Sequence, residues 1–300
     1  MLILACPGQG AQSPGFLSPW LEIPSFATTL GELSEACGID LVKHGTMSDA
    51  DTIRDTAIAQ PLIVAASIAT GLELGANFDG VAGHSVGEVA AATLAGIFTP
   101  KQGMEFVAVR SKAMAAAAAE TSTSMAAVLG GDESNVIAKL TSLELEPANY
   151  NGAGQIVAAG ASDKIAQLVA EGIEGSRVVP LQVAGAFHTR FMQPAVAQLE
   201  AHANSLEVSN PEKTIWTNKD GSTVASGSDY VSLMVGQVAS SVRWDLCMSN
   251  FAGKVTAMIE LCPAGTLTGL AKRALPGVEL LALKTPDQLD AAKALMEGNK

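Results

Sequence analysis

Gly83-His84-Ser85-Val86-Gly87 constrains this chain more than any other stretch, because Gly-x-Ser-x-Gly between a strand and a helix is how an α/β protein exposes a nucleophilic serine. The flanks agree. Phe78–Ala82 reads as a short buried strand after a turn, and Glu88–Ala95 as a helix closed by Gly96. Such an elbow holds the serine at strained backbone angles, and a side chain two residues either way would strike the strand or the helix. The competing reading is a tight turn whose Ser85 only caps the helix.

The 300 residues are 48% hydrophobic and 16% charged, which gives a large core and excludes disorder. A net charge of −12 without a Lys/Arg cluster argues against nucleic acid as partner, though one buried arginine can still bind a small anion. Cys6, Cys37, Cys247 and Cys262 form no Cys-x-x-Cys pair and have no histidines at ligand spacing, so they read as reduced, buried thiols of a cytoplasmic protein with no metal. No apolar run approaches a membrane span, and Met1–Cys6 reads as a first buried strand ending at Pro7.

A polar break at Glu120–Ser124 ends an alanine-rich helix and opens a different pattern. Met125–Leu129, Leu145–Tyr150, Gln155–Ala159 and Arg177–Val183 read as strands, with helices at Glu133–Leu140 and Lys164–Glu171 and a turn at Asn151-Gly152-Ala153-Gly154. The order β-α-β-β-α-β is the split, ferredoxin-like unit. Strands and helices alternate around it, with strands at Thr214–Thr217, Ala257–Leu261 and Glu279–Leu283, which implies a mainly parallel sheet covered on both faces. The expected fold is α/β: a hydrolase-like large domain of residues 1–122 and 188–300, interrupted by a ferredoxin-like subdomain of 123–187.

A serine hydroxyl needs a base. His44 and His202 stand among polar residues and read as solvated, and the His84 side chain should leave the elbow in another direction. His188 remains, reached from its strand through Ala184-Gly185-Ala186-Phe187 and followed by a helix with Pro194 in its first turn; it is either the base or a cap of that helix. That loop, at the C-terminal end of a strand, is where open sheets place ligands, and the helix start would help keep the imidazole neutral. No carboxylate stands ready to orient His188. The helix opened by Asp229 ends near Gln237–Ala239, where unpaired carbonyls suit an imidazole N–H.

Arg110 shares a helix face with Phe106, Val107 and Met114, and no acid within its own helix is placed to pair with it. Its partner is either an acid distant in sequence or a ligand carboxylate. The glycines of Pro7-Gly8-Gln9-Gly10-Ala11-Gln12 let backbone N–H groups converge on an anion. Ser13 and Pro14 spoil a dinucleotide fingerprint, which leaves an oxyanion site.

These segments together resemble the malonyl-CoA:acyl carrier protein transacylases of fatty-acid synthesis and the acyltransferase domains of polyketide synthases. The likeness covers essentially the whole chain and rests on Pro7–Gln12, Gly83–Glu88, Val109-Arg110 with Met114, Asn149–Gly152 running into Gly160, Gly185–His188, and Gln237 with Val242-Arg243-Trp244. It implies Ser85 as nucleophile, His188 as base, Arg110 as clamp for the malonyl carboxylate, the Gln237 carbonyl orienting the histidine, and the Gln9 and Val86 N–H groups as oxyanion hole. Met114 and Phe187 join the substrate-binding residues, and Phe187 with Val86 fits the malonyl-selecting members. Two stretches depart from the family, which often has Arg-Gly where Arg110-Ser111 stands and Gly-Pro-Gly where Cys262-Pro263-Ala264 stands. The implied enzyme is a monomer without cofactor whose partners are malonyl-CoA and acyl carrier protein. A serine hydrolase using water as acceptor, and a non-catalytic acyl-CoA binder, are the rival readings.

Overall fold

The chain lays down β1 (Leu2–Cys6) and β2 (Gly80–Gly83), then β3 (Thr123–Gly130), β4 (Glu146–Gly152), β5 (Gln155–Ala161) and β6 (Ser176–Pro180), and finally β7 (Thr214–Trp216), β8 (Val242–Arg243), β9 (Ala257–Glu260) and β10 (Glu279–Ala282). The computed structural model describes residues 1–183 and 185–299; Ala184 of the expected loop to His188 lies outside them, as does Lys300.

The first sheet, in the order β10-β9-β1-β2-β7, is parallel throughout. Both its faces are covered: Leu2, Leu4 and Cys6 of β1 enter one hydrophobic cluster, while Ile3 and Ala5 enter another with Trp216, Trp244 and Phe251. Parallel strands need such cover, because neither face of the ladder can be left to water.

The helix Thr56–Leu74 corrects one expectation. It is long and apolar enough to cross a membrane by length and composition, with a mean hydropathy of 1.5 that the expectation of no such run overlooked. Most of it is buried against the helices Gly87–Leu94 and Pro100–Glu120, which makes it the central core helix on its side of the sheet.

The second sheet runs β6-β3-β5-β4-β8. Its first four strands are antiparallel neighbours in the ferredoxin-like order, with the β4–β5 hairpin turning through positive φ at Gly152, Ala153 and Gly154. The helices Glu133–Ser142 and Ser162–Glu171 bury Val136, Leu140, Ile165 and Leu168 against one face of β3 and β5, giving this sheet a core of its own. β8 was not expected. It pairs parallel to β4 through Asn149 and Tyr150, so a segment beyond the Gln237 helix is stitched into the second sheet.

Two local expectations are corrected. β6 ends at Pro180 instead of Val183: Pro180 is the last residue paired with β3, opposite Ala126, and one further bond, from the Leu181 N–H to the Met125 carbonyl at 3.0 Å, follows it. Ser226, not Asp229, caps the helix Gly227–Gln237, accepting the Asp229 N–H on its hydroxyl.

Candidate active site

Ser85 stands between β2 and the helix Gly87–Leu94 with φ of 55°, a left-handed conformation that strains any residue but glycine. The flanking glycines are obligatory. A Cβ on Gly83 would lie 2.0 Å from the Gly87 carbonyl carbon, and one on Gly87 2.2 Å from the Cys6 carbonyl oxygen. Asn218 pins the elbow: its Oδ1 accepts the Ser85 N–H at 2.7 Å, and its Nδ2 donates to the Gly83 carbonyl at 2.8 Å.

His188 Nε2 lies 2.6 Å from Ser85 Oγ. Its Nδ1 is 2.9 Å from the Gln237 carbonyl, at the last turn of the helix Gly227–Gln237, and its backbone N–H donates to the Val238 carbonyl at 3.1 Å. A carbonyl only accepts, so Nδ1 carries the proton and Nε2 is free to take one from the serine. Burial, followed by the nearby Arg110 guanidinium, lowers the imidazole to about 3, so it stays neutral. Those two causes replace the helix start expected to do this, and the loop leaves the antiparallel sheet instead of a parallel strand.

A neutral His188 has a measurable consequence. Acylation by acetyl-CoA should show no acid limb at the ordinary imidazole pKa of about 6.5, the decline appearing only well below it. The stability contribution has the matching sign: as pH falls from about 6.5 toward about 3 the unfolded imidazole binds a proton that the folded one refuses, so stability is lost on acidification. A rate profile with its midpoint at about 6.5 would mean that the ring is solvated.

Arg110 is 1% exposed, and among the described residues no carboxylate lies within salt-bridge reach of it. Its guanidinium rests on two neutral oxygens: NH1 donates to Gln60 Oε1 at 2.7 Å and NH2 to Gln237 Oε1 at 2.9 Å. Burial draws it down to about 10, and the field of Glu88 resists this. Gln237 therefore serves twice, its main chain holding the base and its side chain holding the cation.

Residues 4–286 match the family described as acyl transferase domain. The chain belongs to that family. The "Malonyl CoA-acyl carrier protein transacylase" of Mycobacterium tuberculosis is 45% identical over 297 residues, covering 97% of this chain and 98% of that protein. The crystal structure of MCAT from Mycobacterium tuberculosis superimposes with a TM-score of 0.95 at 44% identity, over 98% of this chain and 99% of that one. A further neighbour, at TM-score 0.92 and 26% identity over 98% and 99% of the two chains, is a malonyl-transacylase in complex with its type II PKS acyl-carrier protein.

In this acyl transferase Ser85, His188, Gln9, Met114 and Phe187 border one cleft of about 460 Å³ between the two sheets, whereas Arg110, Val86 and Gln237 stand one layer behind it. Gln60 lines the cleft in front of Arg110. Around the elbow the Ser85, Gly87 and Glu88 N–H groups are taken by Asn218 Oδ1 and the His84 and Ser85 carbonyls, at 2.7, 2.9 and 3.0 Å. Among the described residues the N–H groups of Val86 and Gln9 have no acceptor. The Gly8 loop abuts the elbow, since a Cβ there would come 2.9 Å from the His84 carbonyl oxygen.

Of the other histidines, His84 points away from the serine as expected, its Nε2 2.8 Å from Asn151 Oδ1 on β4. His44 and His202 are less exposed than expected: the first is half-buried with Nδ1 3.0 Å from Ser48 Oγ, and the second, also half-buried, tilts against Phe106 with its Nε2 buried. Neither departure from the family's glycines disturbs the site. Ser111 is fully buried and returns its hydroxyl to the Ala108 carbonyl, and after Ala264 the Glu260 carboxylate accepts the N–H groups of Gly265, Leu267 and Thr268 at 2.8–2.9 Å.

Gln60, Asn218 and Glu88 have roles that the sequence did not suggest, and the Gln237 side chain does more than its neighbours implied. Gln237→Ala keeps the carbonyl but strips one acceptor from Arg110. It should spare acetyl-CoA more than His188→Ala does while costing malonyl-CoA acylation roughly tenfold to a hundredfold, the worth of a hydrogen bond to a charge. Equal losses for both thioesters, as large as with His188→Ala, would show that the amide serves the base instead.

Proposed function

We propose that this acyl transferase moves a malonyl group from malonyl-CoA to the phosphopantetheine thiol of an acyl carrier protein, through a malonyl ester on Ser85. The observation that carries the reading is Arg110: a buried guanidinium satisfied only by neutral amide oxygens, beside an assembled serine–histidine pair. Such a cation is prepared for a carboxylate that arrives with the substrate. The incoming malonate takes the place of Gln60 on the guanidinium.

Ser85 Oγ attacks the thioester carbonyl as its proton passes to His188 Nε2, and the Gln9 and Val86 N–H groups stabilise the oxyanion. Collapse expels coenzyme A, whose thiolate takes the proton from the imidazolium. The carrier thiol then gives its proton to His188, attacks the ester, and leaves as malonyl thioester while Ser85 recovers its proton. Met114 and Phe187 bound the space beside the acyl α-carbon.

The cleft suits an anionic substrate in a chain of net charge −12. Its described lining includes Arg54 and Arg273 and no aspartate or glutamate, so the phosphates shared by coenzyme A and phosphopantetheine meet no like charge there. The relatives named above are malonyl transacylases, one of them bound to its carrier protein. The proposal takes the enzyme as a cytoplasmic monomer that needs no metal or cofactor, and takes residues 123–187 as the subdomain inserted in the large one.

Mass spectrometry of the intact chain tests it. Malonyl-CoA should add one malonyl group at Ser85, and holo acyl carrier protein should remove it with the gain of malonyl on the carrier. Release of free malonate with no need of the carrier would make the protein a hydrolase.

A further inference from the structure

The mechanism uses the nucleophile, the base and the cation, yet all three are tied to a carboxylate that takes no part in it. Glu88 lies in the first turn after the elbow and is 1% exposed. Its Oε1 accepts the Asn218 backbone N–H at 2.6 Å, and its Oε2 accepts the side-chain Nε2 of Gln237. Asn218 holds the Ser85 N–H, and Gln237 holds Arg110 through Oε1 and His188 through its carbonyl.

A glutamine amide has two ends of similar shape and opposite polarity, and only its neighbours decide which way it faces. Arg110 offers donors alone, so Gln237 can serve it only with the oxygen end. The NH₂ end of Gln237 faces three acceptors, the Ser85 carbonyl and Asn218 Oδ1 at 3.3 Å and the closer Glu88 carboxylate, which alone is charged; together they leave the oxygen end toward Arg110. We infer that Glu88 is a positioning residue: by fixing the orientation of the Gln237 amide it aims the Arg110 guanidinium at the substrate carboxylate. The inference rests on the reading of Arg110 as the malonyl clamp. A direct counter-ion role does not account for the geometry, since Glu88 reaches Arg110 through the interposed amide and forms no ion pair with it. Burial pushes the carboxyl up to about 8, against the Asn218 N–H, the field of Arg110 and the Thr217 and Tyr230 hydroxyls, which favour the ionised form.

Glu88→Gln isolates this role because it conserves shape and changes polarity. The new amide has one accepting and one donating end, while the site presents two donors. If its oxygen stays on the Asn218 N–H, its NH₂ meets the Gln237 NH₂, so Gln237 either shifts away on its remaining acceptors, the Ser85 carbonyl and Asn218 Oδ1, or turns over and presents hydrogens to Arg110; both misplace the guanidinium. The opposite orientation sets NH₂ against the Asn218 N–H.

The experiment measures acylation of Ser85 by malonyl-CoA and by acetyl-CoA in Glu88→Gln, Glu88→Asp and Arg110→Ala, with a thermal melt of each. In Glu88→Gln the malonyl-to-acetyl ratio of kcat/KM should fall roughly tenfold to a hundredfold, because acetyl has no carboxylate to be aimed at. Glu88→Asp keeps the charge and both acceptors on a shorter arm, and its ratio should lie between those of the parent and Glu88→Gln. It also carries the test alone if Glu88→Gln does not fold. A folded Glu88 variant with the parent ratio, or with equal losses for the two thioesters, overturns the inference and leaves Glu88 a structural residue. If Arg110→Ala loses the malonyl preference while the Glu88 variants keep it, only the Glu88 inference fails. If Arg110→Ala itself keeps the preference, the clamp reading and this inference fall together.

Discussion

Arg110→Ala should lose malonyl-CoA kcat/KM by hundreds-fold or more while continuing to acylate Ser85 from acetyl-CoA. On the proposed reading, the malonate carboxylate leaves water for a buried guanidinium that no acid among the described residues neutralises directly. Removing one partner of such a buried pair costs about 3–5 kcal/mol, because the other charge is left desolvated and alone. Acetyl brings no charge to strand, so its acylation should hold or improve. A thermal melt of the variant guards against misfolding, since Gln60 and Gln237 each lose a donor. A folded variant that loses both thioesters equally would make Arg110 a structural residue and move selectivity elsewhere in the cleft.

Ser85→Ala should yield no malonyl-enzyme at all, because Ser85 Oγ is the hydroxyl that faces the His188 ring at 2.6 Å. Malonyl found on any other residue would sink the assignment. His188→Ala should slow acylation and deacylation alike, by roughly 10²–10⁴ for a lost general base. In the proposed mechanism the same nitrogen serves both half-reactions, so single-turnover rates for each should fall together. A deficit confined to one half-reaction would require a second base.

Much of this arrangement was legible in the sequence where residue pattern and chemistry disagreed. Arg110 interrupts an apolar stripe, and Ser85 sits between glycines that a helix start does not need; both anomalies have physical causes, a cation prepared for an anion and an elbow with no room for a Cβ. The β-α-β-β-α-β unit was readable because each of its helices carries one apolar face and its hairpin turns on glycine. What stayed hidden looked ordinary locally. Glu88 resembles any acid placed at the positive end of a helix, Asn218 stands in an Asn-Lys-Asp-Gly turn, and Gln60 is one polar residue early in a long helix. Their roles depend on partners 50 to 149 residues away, which no periodicity reports. β8 was missed for a similar reason, since two residues carry no alternation to detect.

Because one glutamine grips the base by its backbone and the cation by its side chain, acyl preference and reactivity meet at one residue through separate bonds. Side-chain changes at Gln237 or Arg110 should therefore alter the choice of extender unit and leave the imidazole in place, whereas a change that moves the backbone of that helix end would displace it. Met114 and Phe187 also line the cleft and share no hydrogen bond with His188 through their side chains, though Met114 Sδ accepts from Gln60 Nε2 at 3.6 Å beside the cation and Phe187 adjoins His188 in the chain. Substitutions there can reshape the acyl pocket without removing a hydrogen bond to the imidazole, and a lineage drifting toward bulkier substrates would be free to vary there first.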